Sequence, residues 1–334
     1  MERCTIWDFK DDIFARDPVL ARMSDGSLIC TFLSGDKTEP RNGNYVLLSK
    51  SHDDGKTWSS PRVVHDHKTR GVYCAEVTSD AGSRPMMCVC TYAEENIFRE
   101  LQLFKSFSCD NGETWTEPVS FECGFNGVIP GVLTVLSDGS WFFPVTWMAT
   151  RRGFDWNDKD LSKRDWPYYS GCAVSPDKGK TWYRYGNLTH GNGLTEPTCV
   201  ETENGHIVML MRSLTIPELF ASHSYDYGKT WSEPEKTGIM NPNTKPYLFK
   251  VYDRVFLVNN CNDEFSWSGR THLELRRSDD GCATFEKVLD IVPPEEFFFY
   301  PDVLVDYERK KIYIAIENSV KHELVTLTFE EIGI

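Results

Sequence analysis

The strongest constraint on the fold is an eight-residue phrase, Ser-x-Asp-x-Gly-x-Thr-Trp, that the chain repeats. Intact copies run from Ser51 to Trp58, Ser108 to Trp115, Ser175 to Trp182 and Ser224 to Trp231. A degraded fifth copy lies in "RRSDDGCATF", near Asp279, Gly281 and Phe285. Asp and Ser side chains bond turn amides, Gly supplies a positive φ, and Trp covers the end of a hairpin. Each copy therefore predicts a locked hairpin whose aspartates are structural rather than catalytic.

The spacing of these phrases predicts the architecture. Their closing aromatic residues, from Trp58 to Phe285, lie 49 to 67 residues apart, which is enough chain for four short strands. Between the phrases an apolar strand, a polar turn and another apolar strand recur six times, as in "VLTVLSDGSWFFPV", and long amphipathic helical patterns are absent. We predict an all-β chain, with residues 1–334 forming a single six-bladed β-propeller of four-stranded antiparallel blades. The N-terminal strand is expected to complete the last blade, so that no sheet edge stays open.

Composition excludes some partners. The 334 residues carry a formal net charge of -14 and no basic stripe, which argues against nucleic acid and anionic membrane surfaces. No apolar run is long enough for a transmembrane helix, and "MERCTIWDFKDD" lacks the apolar centre of a signal peptide. We expect a cytoplasmic protein unless a leader has been removed. The 11 cysteines show no C-x-x-C pair or zinc spacing, so we expect reduced thiols and predict no metal and no cofactor.

Several segments resemble active-site segments of the sialidase (neuraminidase) superfamily, whose propellers carry this aspartate-box phrase. "FARDPVL" resembles the Arg-Ile-Pro segment that opens the family's first blade, with Arg16 in place and Asp17 in the middle. "TEPTCVETENGHIVMLMRS" offers Glu196 at the start of a strand and Arg212 at the end of its hairpin partner. "SGRTHLELRRSDDG" supplies Arg270 before a strand that runs into an aspartate box. The resemblance spans nearly the whole chain.

The resemblance also implies a nucleophile and a supporting acid. "FFYPDVLVDY" resembles the family's Tyr-containing segment and offers Tyr300, while Glu317 in "IAIEN" is expected to support an arginine. Three guanidiniums bind one carboxylate with charge-assisted hydrogen bonds, and a neutral Tyr that passes its proton to Glu196 can attack beside that carboxylate. Sialidases with a Tyr nucleophile are a known exception among glycosidases. The resemblance implies a retaining exo-glycosidase for a terminal carboxylated sugar, such as sialic acid, on a glycan or small molecule.

The pattern departs from the family at the acid/base residue. In the loop "SGDKTEPRNGNYVLLSKS" no residue is in register, and Asp36 and Glu39 are the candidates. The insertion "RRGFDWNDKDLSKRDWPYYSG" is charged and aromatic, so Trp166 and Tyr169 are candidates to stack on a sugar ring.

Two other functions stay open. A propeller polysaccharide lyase acting on uronic acids would use the arginines to neutralise the carboxylate and Tyr300 to take the proton α to it. A non-catalytic carbohydrate-binding propeller would lack the acid. Each arginine alone could equally be a structural ion-pair residue.

Overall fold

A computed structural model describes residues 1–9, 14–78, 84–93, 101–121, 128–148, 168–191 and 193–334. Within these ranges the secondary structure is β except for a short 3-10 helix, Glu330–Ile332. None of the helices there is long and apolar enough to cross a membrane. By their contacts the residues form two compact units: unit 1 holds Met1–Phe121 and Tyr300–Ile334, and unit 2 holds Glu122–Phe299.

Unit 1 contains three four-stranded antiparallel sheets. Blade 1 consists of β2 (Ala15–Arg22), β3 (Leu28–Ser34), β4 (Tyr45–Ser51) and β5 (Arg62–His65). Blade 2 consists of β6 (Gly71–Thr78), β7 (Met86–Tyr92), β8 (Gln102–Phe107) and β9 (Val119–Ser120). Blade 6 consists of β23 (Phe299–Asp306), β24 (Lys311–Glu317), β25 (Lys321–Thr328) and β1 (Glu2–Asp8).

Unit 2 contains the other three sheets. Blade 3 consists of β10 (Val128–Pro130), β11 (Thr134–Val135), β12 (Trp141–Met148), β13 (Tyr168–Ser175) and β14 (Tyr183–Leu188), with β10 and β11 both paired to β12. Blade 4 consists of β15 (Leu194–Glu203), β16 (His206–Ser213), β17 (Glu218–Ser224) and β18 (Glu235–Met240). Blade 5 consists of β19 (Tyr247–Val251), β20 (Arg254–Asn260), β21 (Leu273–Ser278) and β22 (Glu286–Asp290).

The six sheets are the blades of a six-bladed β-propeller, so the predicted fold class is confirmed. β1 pairs antiparallel with β25 and supplies the outer strand of blade 6, as predicted. The extent of the domain, residues 1–334, stays a prediction.

Burial explains the apolar runs in the sequence. The second strands of blades 1 and 2, β3 and β7, are buried at every position, because both faces of such a strand are covered. Outer strands are shorter or alternate between buried and exposed residues. In β1 only Ile6 is buried. All ten cysteines of the described residues are free thiols.

The repeated phrases are hairpin locks, as predicted. In the first copy Asp53 accepts hydrogen bonds from the Thr57 hydroxyl and amide, and these bonds lower the pKa of Asp53 to about 2. Ser51 accepts from the Gly55 amide, and the Trp58 ring donates to the Gly55 carbonyl. Gly55 has a φ of 87°, and a Cβ there would overlap Leu324 of blade 6. The lock of blade 1 therefore also packs against its neighbour within unit 1.

The fifth copy is shifted by one residue from the sequence-based placement. Asp280, not Asp279, accepts from the Thr284 hydroxyl and amide, and these bonds lower its pKa to about 2. Cys282 takes the glycine position with a φ of 75°, and its amide donates to Ser278 as the glycine amide does elsewhere. The degraded copy keeps the hydrogen bonds of Ser278 and Asp280 but lacks the ring bond of Trp, because Phe285 has no ring N–H, and Cys282 replaces the glycine.

Candidate active site

In unit 1, Arg16 and Asp17 lie at a bulge in β2, where one extra residue separates the pairs Arg16↔Leu33 and Val19↔Thr31. The Asp17 amide donates to Glu317 Oε2 at 2.5 Å, and Arg16 Nη1 lies 3.6 Å from Glu317 Oε1. Glu317 is fully buried, so its charge depends on these partners. The structure therefore places Glu317 beside an arginine, Arg16, at ion-pair distance.

Tyr300 lies at the start of β23 in the same unit and is half-buried. Two residues later Asp302, which is buried, accepts a hydrogen bond from the Leu20 amide at 2.7 Å. This bond ties the strand that carries Tyr300 to the strand that carries Arg16.

His322 packs beside this cluster and was not singled out from the sequence. It is fully buried, stacks on Phe32 with 4.4 Å between ring centroids, and places Nε2 3.6 Å from Glu317 Oε2. Burial, assisted by the nearby positive charge of Arg16, lowers the pKa of His322 to about 3. The ring is therefore neutral near pH 7.

The acid/base candidates Asp36 and Glu39 are both exposed, in the loop between β3 and β4. Asp36 Oδ1 accepts a hydrogen bond from the Lys37 amide at 2.6 Å. The loop is held by buried Asn44, whose side-chain amide donates to the carbonyl oxygens of Ser34, Gly35 and Thr38 and accepts from the Tyr92 hydroxyl. Neither acid gains the burial that tunes a catalytic proton donor.

In unit 2, Glu196 and Arg212 meet across the first hairpin of blade 4. A bulge in β15 separates the pairs Thr195↔Arg212 and Thr198↔Leu210 by one extra residue. Arg212 Nη2 donates to Glu196 Oε1 at 3.0 Å, and the Glu196 amide donates to Thr146 Oγ1 at 2.9 Å. The ion pair orients a half-buried carboxylate.

Arg270 approaches Arg212 at one shared acceptor. Arg212 Nη1 and Arg270 Nη2 each donate to the carbonyl oxygen of Asn243 at 2.9 Å. Arg270 is buried, with its guanidinium carbon 4.3 Å from the Trp267 ring centroid and 5.0 Å from that of Phe299. Unit 2 therefore gathers two guanidiniums and one carboxylate. Neither Asn243 nor Trp267 was singled out from the sequence, although the two prolines of "NPNTKP" mark a tight loop.

Of the two aromatic residues predicted to stack on a sugar ring, the structure describes only Tyr169. Tyr169 is half-buried on β13 and stacks on Trp147, with 6.1 Å between centroids. Trp166 lies outside the described residues.

Asp17, Glu196 and Tyr300 share one backbone conformation. Their φ values are 51°, 46° and 49°, and each precedes a proline on the first strand of its blade. Left-handed backbone is costly for a residue other than glycine, and such strain clusters at functional sites. Three predicted site residues are therefore presented by the same device.

The fold and its locked hairpins define an aspartate-box β-propeller. The family described as BNR repeat-like domain matches residues 91–314, and the chain belongs to that family.

Sialidases are similar to this chain in sequence and in fold. A sialidase of Bacteroides fragilis (strain YCH46) is 23% identical over 325 residues, covering 86% of this chain and 56% of the relative. The Hadza microbial sialidase Hz136 has a TM-score of 0.73 at 18% identity, over 95% of this chain and 66% of that one. A third relative is Trypanosoma rangeli sialidase in complex with 2,3-difluorosialic acid, described as a covalent intermediate. Its TM-score is 0.71 at 18% identity, and the match covers 99% of this chain and 59% of that one. This chain thus spans 56% to 66% of their lengths, and at these identities the likeness shows the fold.

Proposed function

We propose that the protein is a sialidase-like retaining exo-glycosidase that removes a terminal carboxylated sugar, sialic acid or a relative of it. The observation that carries this proposal is the convergence of Arg212 and Arg270 on one carbonyl oxygen, 2.9 Å from each. Two guanidiniums directed at one oxygen, that of Arg270 buried and that of Arg212 half-buried, suit a carboxylate, which accepts charge-assisted hydrogen bonds at the same distance. Arg16 is the third member of the proposed clamp.

The proposed chemistry uses Tyr300 as the nucleophile. Its oxygen attacks the anomeric carbon while Glu196 accepts the phenolic proton, and the glycosidic oxygen leaves with a proton from an acid for which Asp36 and Glu39 are the candidates. Water then gives a proton to the ionised acid and attacks the anomeric carbon of the tyrosyl glycoside. The bond to Tyr300 breaks as Glu196 returns the phenolic proton, and the sugar is released with retained configuration. A neutral phenol suits this role, because a carboxylate nucleophile would be repelled by the substrate's own carboxylate.

The proposal has a direct chemical support. The T. rangeli enzyme is described with difluorosialic acid as a covalent intermediate, so this sugar analogue can be trapped on a protein of the same fold. The left-handed conformation of Tyr300 and Glu196 also fits residues held for a task other than stability.

Trapping tests the proposal. The protein is incubated with 2,3-difluorosialic acid and digested, and the peptide masses are measured by mass spectrometry. We expect one added sugar mass on the peptide containing Tyr300, no adduct for Tyr300→Phe, and a normal adduct for Tyr307→Phe, whose ring is exposed on the next hairpin.

The two other functions are outcomes of the same experiment. An active protein that never acquires the adduct and releases an unsaturated, ultraviolet-absorbing sugar is a lyase. A protein that binds the sugar tightly without adduct or turnover is a binding module. Either result overturns the proposed function.

A further inference from the structure

The loop that holds Arg212 and Arg270 has an unusual backbone. Residues 241–246 join β18 to β19, and Asn243 in the middle has a φ of 63°. Asn tolerates this left-handed region better than most residues, but the conformation still has a cost and needs support from its surroundings. The loop is therefore held in place by something other than its own preference.

Two buried side-chain amides provide that support. Asn241 donates to the Thr244 carbonyl at 3.0 Å and to Asn259 Oδ1 at 2.7 Å, and it accepts from the Thr244 amide at 3.0 Å. Asn259, at the end of β20, donates to the Met240 carbonyl at 2.8 Å. Asn241 is 1% exposed and Asn259 is 0% exposed, and the three bonds of Asn241 are shielded from water. A fully satisfied buried network of this kind rigidifies the segment that it closes.

The network determines where one carbonyl oxygen lies. The Asn243 carbonyl receives both guanidiniums at 2.9 Å, although two cations repel each other at such separations. A mobile carbonyl would not hold them together. The Asn243 Oδ1 atom is itself buried and accepts no hydrogen bond within the described part of the chain, a cost that packing alone does not explain.

We propose that Asn241 and Asn259 are positioning residues that fix the Asn243 carbonyl, and through it set the spacing of Arg212 and Arg270 for a carboxylate. The statement about a carboxylate ligand rests on the proposed function. The statement about the two arginines does not.

The first experiment needs no ligand. Crystal structures are determined for the wild type, Asn241→Asp and Asn259→Asp, with thermal melting as a check on folding. Each aspartate keeps the shape but loses the donors, so we expect the Asn243 carbonyl to move and at least one guanidinium to leave it. Ser222→Ala is the matched control, because it removes a buried hydrogen bond of 2.7 Å from the blade that carries Arg212. Unchanged contacts at Asn243 in folded aspartate variants overturn the proposal.

The second experiment separates the carbonyl from the side chain of residue 243. Asn243→Gly adopts a positive φ without strain and keeps the carbonyl, whereas Asn243→Val is β-branched and disfavours that φ. We expect the glycine variant to retain both arginine contacts and the valine variant to lose them. Loss of the arginine contacts in the glycine variant overturns the proposal, because that variant keeps both asparagines and the carbonyl. This comparison remains if the buried aspartates prevent folding.

The third experiment measures binding by calorimetry, with the unsaturated sialic acid analogue and its methyl ester as probes. Loss of one charge-assisted hydrogen bond weakens binding by about 10- to 100-fold. We expect Asn241→Asp and Asn259→Asp to lose this much affinity for the acid and none for the ester, and Ser222→Ala to bind both normally. A wild type that binds acid and ester equally contradicts the proposed function, while the crystal structures still decide the role of the asparagines. Folded aspartate variants that bind the acid normally overturn the inference alone.

Discussion

At the scale of residues, the candidate site is built from conformations that are costly elsewhere. Asp17, Glu196 and Tyr300 are non-glycine residues at positive φ, each directly before a proline. Proline favours extended backbone at negative φ in the residue before it, so the positive φ of these three residues opposes that preference and must be held by the surrounding structure. The same local sequence thus presents two carboxylates and a phenol from three blades.

Tyr300→Phe should reduce kcat by on the order of 10³-fold or more, because no other oxygen at that position can form the covalent bond. Affinity for an unreactive sialic acid analogue should stay within about threefold of wild type, since binding is assigned to the arginines and a lost neutral hydrogen bond has a small effect. Glu196→Gln should lower kcat to a similar extent. The double variant should be little slower than either single variant, since substitutions within one catalytic unit do not have additive effects. Steady-state kinetics measures kcat, and calorimetry measures the affinity for the analogue. Additive losses in kcat would mean that Tyr300 and Glu196 do not act in one catalytic unit.

His322 should make stability depend on pH. The unfolded side chain binds a proton below its ordinary pKa of 6.5, whereas the folded one does so only near 3. The unfolded state therefore binds more protons in between, so the stabilisation is complete above pH 6.5 and is lost as the pH falls towards 3. Urea unfolding at pH 6 and pH 4 should show His322→Phe losing less stability than wild type, by about 1.4 kcal/mol per pH unit.

At the scale of elements, sequence predicts what is local. Each locked hairpin draws its bonds from within eight residues, so Ser51, Asp53 and Thr57 were assigned from spacing alone. The fifth lock was placed one residue too early in the sequence, because Gly281 suggests the glycine position, whereas Cys282 occupies that position and Gly281 occupies the one before it. The Asn243 contacts were missed, since they join residues 31 and 27 positions apart and depend on how blades 4 and 5 pack.

The shifted register gives a comparison between neighbouring aspartates. Asp280→Ala should lower the melting temperature by several degrees, because the amide and hydroxyl of Thr284 lose their acceptor. Asp279→Ala should have almost no effect, since Asp279 is exposed and its ion pairs with Arg277 and Arg254 lie at the surface. Calorimetric melting of both variants measures this. Equal melting temperatures would contradict the assignment of Asp280, rather than Asp279, to the fifth lock.

At the scale of the whole molecule, periodicity alone was enough to predict six antiparallel blades and the strand that completes the last one. The reason is physical: each blade must bury two apolar faces, and an open edge invites pairing with other chains. Periodicity did not predict which residues the blades bring together, because that depends on loops between blades.

The contribution of β1 can be measured at Ile6. Ile6 is 5% exposed and packs with Leu20, Leu28 and Leu324, so Ile6→Ala should lower the free energy of unfolding by about 2–4 kcal/mol. Thr5→Ala, an exposed neighbour on the same strand, should change it by less than about 0.5 kcal/mol. Urea unfolding of both variants gives the two values. A small loss at Ile6 would mean that blade 6 is stable without this strand.

The pairing of β1 with β25 also sets an order of events in the cell. Glu2 of β1 pairs with Thr326 of β25, which lies 324 positions further along the chain. β1 leaves the ribosome long before β25, so it has no partner while the other blades are being made. Contacts between residues so far apart in sequence form slowly, and until then the unpaired strand can pair with non-native strands. A circular permutant that links the two ends and opens an exposed hairpin would synthesise β25 and β1 together and shorten that wait.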